Sequence, residues 1–407
     1  MGLSHALRRR AAAIAAALLV LAGPFCAAQV PATSAAPVPA VAPDAERPGP
    51  AAAPVPSAPG TAGATAAKDA APVPSAPGTA AKDAAPDGAG VDIVLVLPLA
   101  APDYARAAEA VRDGFLAAAG AAKATDHCRV IGHGDGDVLA AFAAAKSLGA
   151  RVVVGPLVRD DLRTLAATTE SLPLTLALNQ LDDGAALPPQ VYTLALSVES
   201  DARTLARRMR DGGASTIALI GNASPISRRF ASAFSAEWLL AGGGPIETVT
   251  FDARPDALTE LRRKLAKSPA DAALLALDGQ DAATARNFAL RIPVYAISLI
   301  NQPHAPSVLN DLEGVRFVDL PWLVTPGERA LAGLPRKETG NVLLDRLYAL
   351  GLDAFAVARA FRDGVPERLE IAGATGQLTL AEGRQVARDG VLAVFRHGQV
   401  VPADAPR

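Results

Sequence analysis

The sequence predicts an α/β protein with two lobes, each a parallel sheet flanked by helices, and three observations carry that prediction. Short unbroken apolar runs such as Ile93–Leu97 are too continuous for a strand with a solvated face and too short for a helix. They read as strands buried on both sides. These runs alternate with helical segments of about ten residues or more, the rhythm of right-handed βαβ crossovers. The alternation restarts after a polar-faced helix over residues 201–210 with no long linker, so one chain builds two sheets.

The first unit sets the pattern. Pro98 ends the strand, and Tyr104, Ala108, Val111, Phe115 and Ala118 then recur at three- and four-residue intervals, which puts them on one helix face. Asp103 stands where an N-cap belongs and Gly120 where the helix stops. Further strands are predicted at residues 127–131, 151–154, 174–178 and 191–196, with helices at 138–148 (Asp137 as N-cap, Gly149 as stop) and around 160–168. After the helix over 201–210, strands are predicted at 216–220, 246–251, 273–277 and 294–297, and helices at 227–240, 257–266 and 281–290. Residues 315–320 and a helix over 343–361 are read as returning the chain to the first lobe. Residues 373–401 read as β structure, with Gly376 and Gly383 at turns and 391–395 a buried strand. The expected division gives residues 91–198 plus about 340–375 to the first lobe and 199–339 plus about 376–407 to the second.

Ahead of the lobes, residues 1–28 have the form of an export signal. Arg8, Arg9 and Arg10 precede an apolar core over residues 11–22, and Cys26-Ala27-Ala28 offers small residues before a cut at Gln29. Lipid attachment at Cys26 is the alternative, although Gly23-Pro24-Phe25 is a poor context for it. Residues 29–90 are rich in Ala, Pro, Gly, Ser and Thr, and one ten-residue unit occurs at 53–62 and again at 71–80. Such a segment has too little apolar surface to offset the entropy of ordering, so a disordered tether is predicted. No other stretch is apolar enough to span a bilayer.

Composition narrows the function. Half of the residues are hydrophobic and the formal charge is −2; without the three leader arginines, 36 basic residues face 41 acidic ones, a charge of −5. Nothing here tracks a phosphate backbone, so nucleic acid is excluded as a partner. Cleavage of the leader leaves only Cys128, which lies in an apolar run and reads as a small core residue.

No cofactor or metal is predicted. Gly132-His-Gly-Asp-Gly136 sits between a strand and a helix, but Asp135 and Asp137 would face a dinucleotide's pyrophosphate. His127, Cys128, His133, Asp135 and Asp137 are close in sequence, yet His127 and Cys128 point to opposite faces of a strand. A capped turn fits that cluster better. The sequence holds no Gly-x-Ser-x-Gly elbow, no Ser-x-x-Lys set and no phosphate loop, and a non-enzyme is expected.

What remains is the crevice that strand ends form in such folds. Leu99, Ala100, Pro156, Leu157, Asn179, Gln180, Asn222, Ser224, Asp278 and Ser298 are the candidate ligand-binding residues there, with Trp322 beside them. Their amides and hydroxyls could orient a ligand between apolar walls.

Four stretches in order carry a resemblance: Leu95-Val-Leu-Pro-Leu99, Ala110-Val-Arg-Asp-Gly-Phe115, Val152-Val-Val-Gly-Pro-Leu157 and Gly373-Ala-Thr-Gly-Gln-Leu378 with its closing hairpin. Together they resemble the type I periplasmic-binding-protein fold, and within it the carboxyl-terminal domain of the LppC/LpoA family of penicillin-binding-protein activators. The resemblance implies a non-catalytic periplasmic protein, outer-membrane associated, that touches a peptidoglycan synthase (a class A penicillin-binding protein) and stimulates it. Longer members carry a helical-repeat domain where this chain has its Pro/Ala tether. The alternative is an ABC-transporter-type receptor that closes on an amino-acid-like solute. Against it, Ala100-Ala101 follows Pro98-Leu99 where solute receptors commonly show Ser-Gly.

Overall fold

The first sheet begins with β1 (Ile93–Leu97), all five residues buried, and continues through α1 (Ala105–Ala121), β2 (Cys128–Gly132), α2 (Val138–Ser147), β3 (Val152–Val154), α3 (Arg159–Ala167), β4 (Leu174–Ala177) and β5 (Val191–Thr193). This computed structural model describes residues 90–181, 185–289 and 292–404, all within one compact unit, Lys82–Arg407. The expected leader over 1–28, with Cys26, and the tether over 29–89 lie outside the described residues. The second series runs α4 (Val198–Asp211), β6 (Ile217–Gly221), α5 (Pro225–Leu240), β7 (Ile246–Thr250), α6 (Pro255–Lys267), β8 (Ala272–Ala276), α7 (Gly279–Ala289), β9 (Val294–Ala296), α8 (Pro306–Asp311) and β10 (Arg316–Asp319). The short α9 (Pro321–Val324) and the long α10 (Val342–Phe361) follow, and then β11 (Glu370–Ala372), β12 (Gln377–Ala381), β13 (Gln385–Asp389), β14 (Val391–Arg396) and β15 (Gln399–Pro402).

Two sheets result. The first has the order β11-β12-β13-β5-β4-β3-β1-β2 and the second β15-β14-β10-β9-β8-β6-β7. Six strands run parallel in the first (β13-β5-β4-β3-β1-β2) and five in the second (β10-β9-β8-β6-β7), and the remaining C-terminal strands add antiparallel pairs at one edge. A parallel sheet needs cover on both faces. In the first, α1 and α10 cover one face around Leu95, Phe115 and Phe355, while Val96, Phe142 and Leu162 belong to a separate cluster that includes α2 and α3. In the second, Phe230, Phe234 and Trp238 of α5 join Ile220, Leu274 and Phe317 in one core.

The helix pair α1–α10 packs backbone to backbone. A Cβ on Gly114 would lie 2.0 Å from the Tyr348 carbonyl oxygen, and one on Gly351 would lie 2.1 Å from that of Val111. These positions accept nothing larger than glycine, and Phe115 meets Phe355 edge-on beside them, centroids 5.4 Å apart.

Three expectations are corrected. Residues 315–320 do not return the chain to the first sheet: β10 lies in the second, where Phe317 packs on Phe395 at 5.2 Å. Residues 376–389, expected in the second lobe, supply β12 and β13 to the first sheet, and the change of sheet falls at Gly390. An apolar alternation marks a strand, but it does not say which sheet the strand joins. At the start of α1 the N-cap position belongs to Tyr104 rather than Asp103, and no side chain caps it. Asp137 does occupy the N-cap position of α2, without a capping hydrogen bond.

Candidate functional site

The chain passes between the sheets three times: from β5 to β6, from β10 to α10, and from β13 to β14. Buried polar side chains tie the passages together. Arg388, at the end of β13, donates to the Ala195 carbonyl at 3.1 Å and to Asp201 of α4 at 2.6 Å. Ser298 donates to the other oxygen of Asp201 at 2.7 Å, and its own carbonyl accepts from Arg346 of α10 at 3.0 Å. Arg346 also donates to Asp319 at 2.6 Å, and Asn301 donates to the same carboxylate oxygen at 2.7 Å. Asp319 is fully buried, and burial raises its carboxyl against the opposing pull of Arg346. Gly390 completes the set, since a Cβ there would sit 2.6 Å from the Asp319 carbonyl oxygen.

A third buried carboxylate holds the turn after β11. Asp353 of α10 accepts from the amides of Ala374 and Thr375, both at 2.7 Å, and from the Thr375 hydroxyl at 2.6 Å. Burial pushes its carboxyl up to about 6, with those donors and Arg388 pulling the other way. The turn is the Gly373-Ala-Thr-Gly stretch, and Gly376 there has φ +141°, a conformation that favours glycine.

The strand-end residues are placed as follows. Leu99 lies against Gly132, and exposed Ala100 donates its amide to His133 at 3.0 Å. Pro156 and Leu157 are buried; their carbonyls accept from the Leu178 amide and the Asn179 side chain, each at 2.9 Å. The Asn179 oxygen accepts from the Gln180 amide at 2.9 Å and from Arg159 at 3.3 Å. Gln180 accepts from Gln385 at 3.1 Å. Asn222 and Ser224 build the N-terminus of α5: Asn222 accepts from the Ser224 amide at 3.1 Å and Ser224 caps Ser227 at 3.2 Å. Asp278 accepts from the Asp281 amide at 2.9 Å. Ser298 is consumed by Asp201. Trp322 is buried, with the Arg336 guanidinium 3.9 Å above its ring.

Three of these residues line separate cavities. Gln180 lines a cavity of about 500 Å³ with Glu199, Arg203, Arg228 and Arg229. Asp278 lines another, about 360 Å³, with Asn301, Asn341 and Arg346. Trp322 lines a third, about 470 Å³, with Arg336, Lys337 and Asp345. The other eight candidates line none of the three. Sequence reasoning missed Asp201, Asp319, Arg346, Asp353 and Arg388. The one available signal was a charge inside an apolar run, as in Val315-Arg-Phe-Val-Asp-Leu320 and Leu350-Gly-Leu-Asp-Ala-Phe355.

Comparison with known proteins places the chain. A family model described as "LppC putative lipoprotein" matches residues 89–284 and 280–398, which is most of the chain. The chain belongs to the LppC family. Among curated relatives, the penicillin-binding protein activator LpoA of Edwardsiella piscicida is 28% identical over 311 residues, covering 65% of this chain and 44% of that protein. Its counterpart in Escherichia coli K12 is 26% identical over 300 residues, covering 62% and 44%. The chain thus spans less than half the length of these LppC-family relatives.

Among solved structures, the LpoA C-domain of Haemophilus influenzae, described as a regulator of PBP1A, superposes with a TM-score of 0.66. It is 23% identical and covers 77% of this chain and 99% of that one, a likeness of fold. A Chromobacterium violaceum protein described as a "putative branched-chain amino acid ABC transporter" is 33% identical, with a TM-score of 0.66 and coverage of 75% and 99%. The type I periplasmic-binding-protein architecture is therefore common to LppC-family and transporter proteins.

Proposed function

We propose that this LppC-family chain is a non-catalytic periplasmic regulator that works by touching a peptidoglycan synthase of the penicillin-binding class. Membership of a family whose curated relatives are named activators of such synthases supports the partner. The observation that carries the reading is the state of the strand-end side chains. Asn179, Asn222, Ser224, Asp278 and Ser298 each spend hydrogen-bonding groups on the fold itself. An amino-acid receptor needs such groups convergent and free for its ligand. A protein that acts through its surface does not. The family description as a lipoprotein supports export across the inner membrane, with Cys26 the residue that would carry a lipid.

The transporter-like relative favours a second reading, a solute receptor. Two measurements separate the readings. Immobilised chain is expected to retain a purified class A penicillin-binding protein from the same cell, and no retention contradicts the regulator. A ligand at 100 times its dissociation constant adds about 2.7 kcal/mol of stability. The regulator reading expects a flat thermal-shift response across a panel of amino acids, and a shift of several degrees favours the receptor.

A further inference from the structure

We infer that the outward face of α5, with the arginines at its rim, is a docking surface for an acidic partner segment bearing apolar side chains. The inference rests on the regulator reading for the partner's identity, but its physical basis is independent of that reading. Residues 228, 232, 236 and 240 recur every four positions along α5 and so share one face. The opposite face carries Phe230, Phe234 and Trp238, all buried. Arg228, Ser232 and Ala236 line the cavity of about 500 Å³ that also takes Arg203 from α4 and Gln180 from the first lobe.

Charge selects the occupant. Among the described residues lining that cavity, Glu199 is held by Arg229 at 2.6 Å, which leaves Arg203 and Arg228. Among the described residues Arg203 makes no hydrogen bond or ion pair, and Arg228 donates only to the Ala223 carbonyl. The neighbouring Arg207, by contrast, is neutralised by Glu237 and Asp389. Two guanidinium groups without a carboxylate at a concave rim attract anionic side chains, and the planar fork fits a carboxylate in two-pronged fashion. Leu239 and Leu240, 74% and 83% exposed, lie one turn beyond Ala236. A single exposed leucine needs no explanation, but two adjacent ones continuing a cavity-lining face supply an apolar anchor beside the charged one. An acidic stretch over the arginines, with apolar side chains over the leucines, satisfies both ends.

The test uses the purified full chain and a fluorescein-labelled peptide of four glutamates followed by two leucines, read by anisotropy. The acidic peptide is expected to bind, and its glutamine counterpart to bind at least about tenfold more weakly. Raising salt from about 50 to 300 mM weakens binding severalfold. The double variant R203E/R228E removes binding. L239S/L240S weakens it about tenfold and leaves the salt dependence unchanged. Arg228 holds only an exposed bond to the Ala223 carbonyl, Arg203 holds none among the described residues, and both leucines are exposed, so both variants keep the parent's melting temperature. Absence of peptide binding, equal binding by R203E/R228E, or full competition by inorganic phosphate (a simple anion site) overturns the inference. Capture of the synthase provides the second arm. If both variants retain it as the parent does, the surface is wrong and the regulator reading stands. If the peptide binds as described and the parent retains no synthase, the regulator reading falls and the surface stands.

Discussion

Arg346 and Asp319 show how single residues set the relation between the lobes. Their ion pair is 2.6 Å long, with the carboxylate fully buried and the guanidinium nearly so. Removing one partner strands the other charge away from water, which costs about 3–5 kcal/mol, whereas replacing both by apolar residues is close to neutral. Arg346→Met is therefore expected to lower unfolding free energy by about that amount in urea titrations, and Arg346→Met with Asp319→Leu to recover most of it. Equal losses in the single and double variants contradict the ion-pair account. Asp353 makes a pH prediction. Its carboxyl titrates near 6 in the fold against 3.8 unfolded, so the folded state binds more protons between those values. Its contribution to stability is therefore present at pH 4 and lost as pH rises through 6, on the order of 2–3 kcal/mol. Asp353→Asn removes that component, and a parent and variant with the same pH dependence of stability refute it. Little of this was legible beforehand. Asp319 lies 27 positions from Arg346 and Asp201 lies 187 from Arg388, so a charge in an apolar run shows no partner until the chain is folded.

At the level of elements, the sequence announces strands and helices well and their assignment to sheets poorly. Ile93–Leu97 and Ala272–Ala276 are legible because strands covered on both faces have no room for polar side chains. β13 joins the first sheet through its pairing with β12 and β5, and Arg388 near its end bonds Ala195 and Asp201 beside the first crossing. Strand-end loops were likewise legible as loops, from Gly155-Pro156 and Asn179-Gln180. That their polar groups cap helices and neighbouring loops depends on distances no spacing encodes. The α1–α10 contact yields a test at this scale. Gly351→Ala gains about 1 kcal/mol of helix propensity, but its Cβ meets the Val111 carbonyl at 2.1 Å and the Phe115 amide at 2.8 Å. Overpacking wins, and a net loss of at least about 2 kcal/mol is expected by thermal denaturation. Gly120→Ala, whose nearest neighbour is 4.0 Å away, is expected to be neutral or slightly stabilising. A neutral Gly351→Ala contradicts the close packing.

For the whole molecule, two α/β lobes joined by three crossings could serve a receptor or a regulator, and the fold does not choose between them. The crevice bears on that choice: Asn179, Asn222, Ser224, Asp278 and Ser298 hold bonds within the fold, and Gln180, Asp278 and Trp322 line separate cavities. Arg228, Leu239 and Leu240 stand open on α5 instead, beside Arg203 of α4. Family membership points the same way. The decisive measurement is the rate of glycan polymerisation by a purified class A penicillin-binding protein, followed with and without an equimolar amount of this chain. The account predicts a faster rate that saturates near equal concentrations. An unchanged rate, together with a large thermal shift on adding an amino acid, contradicts it.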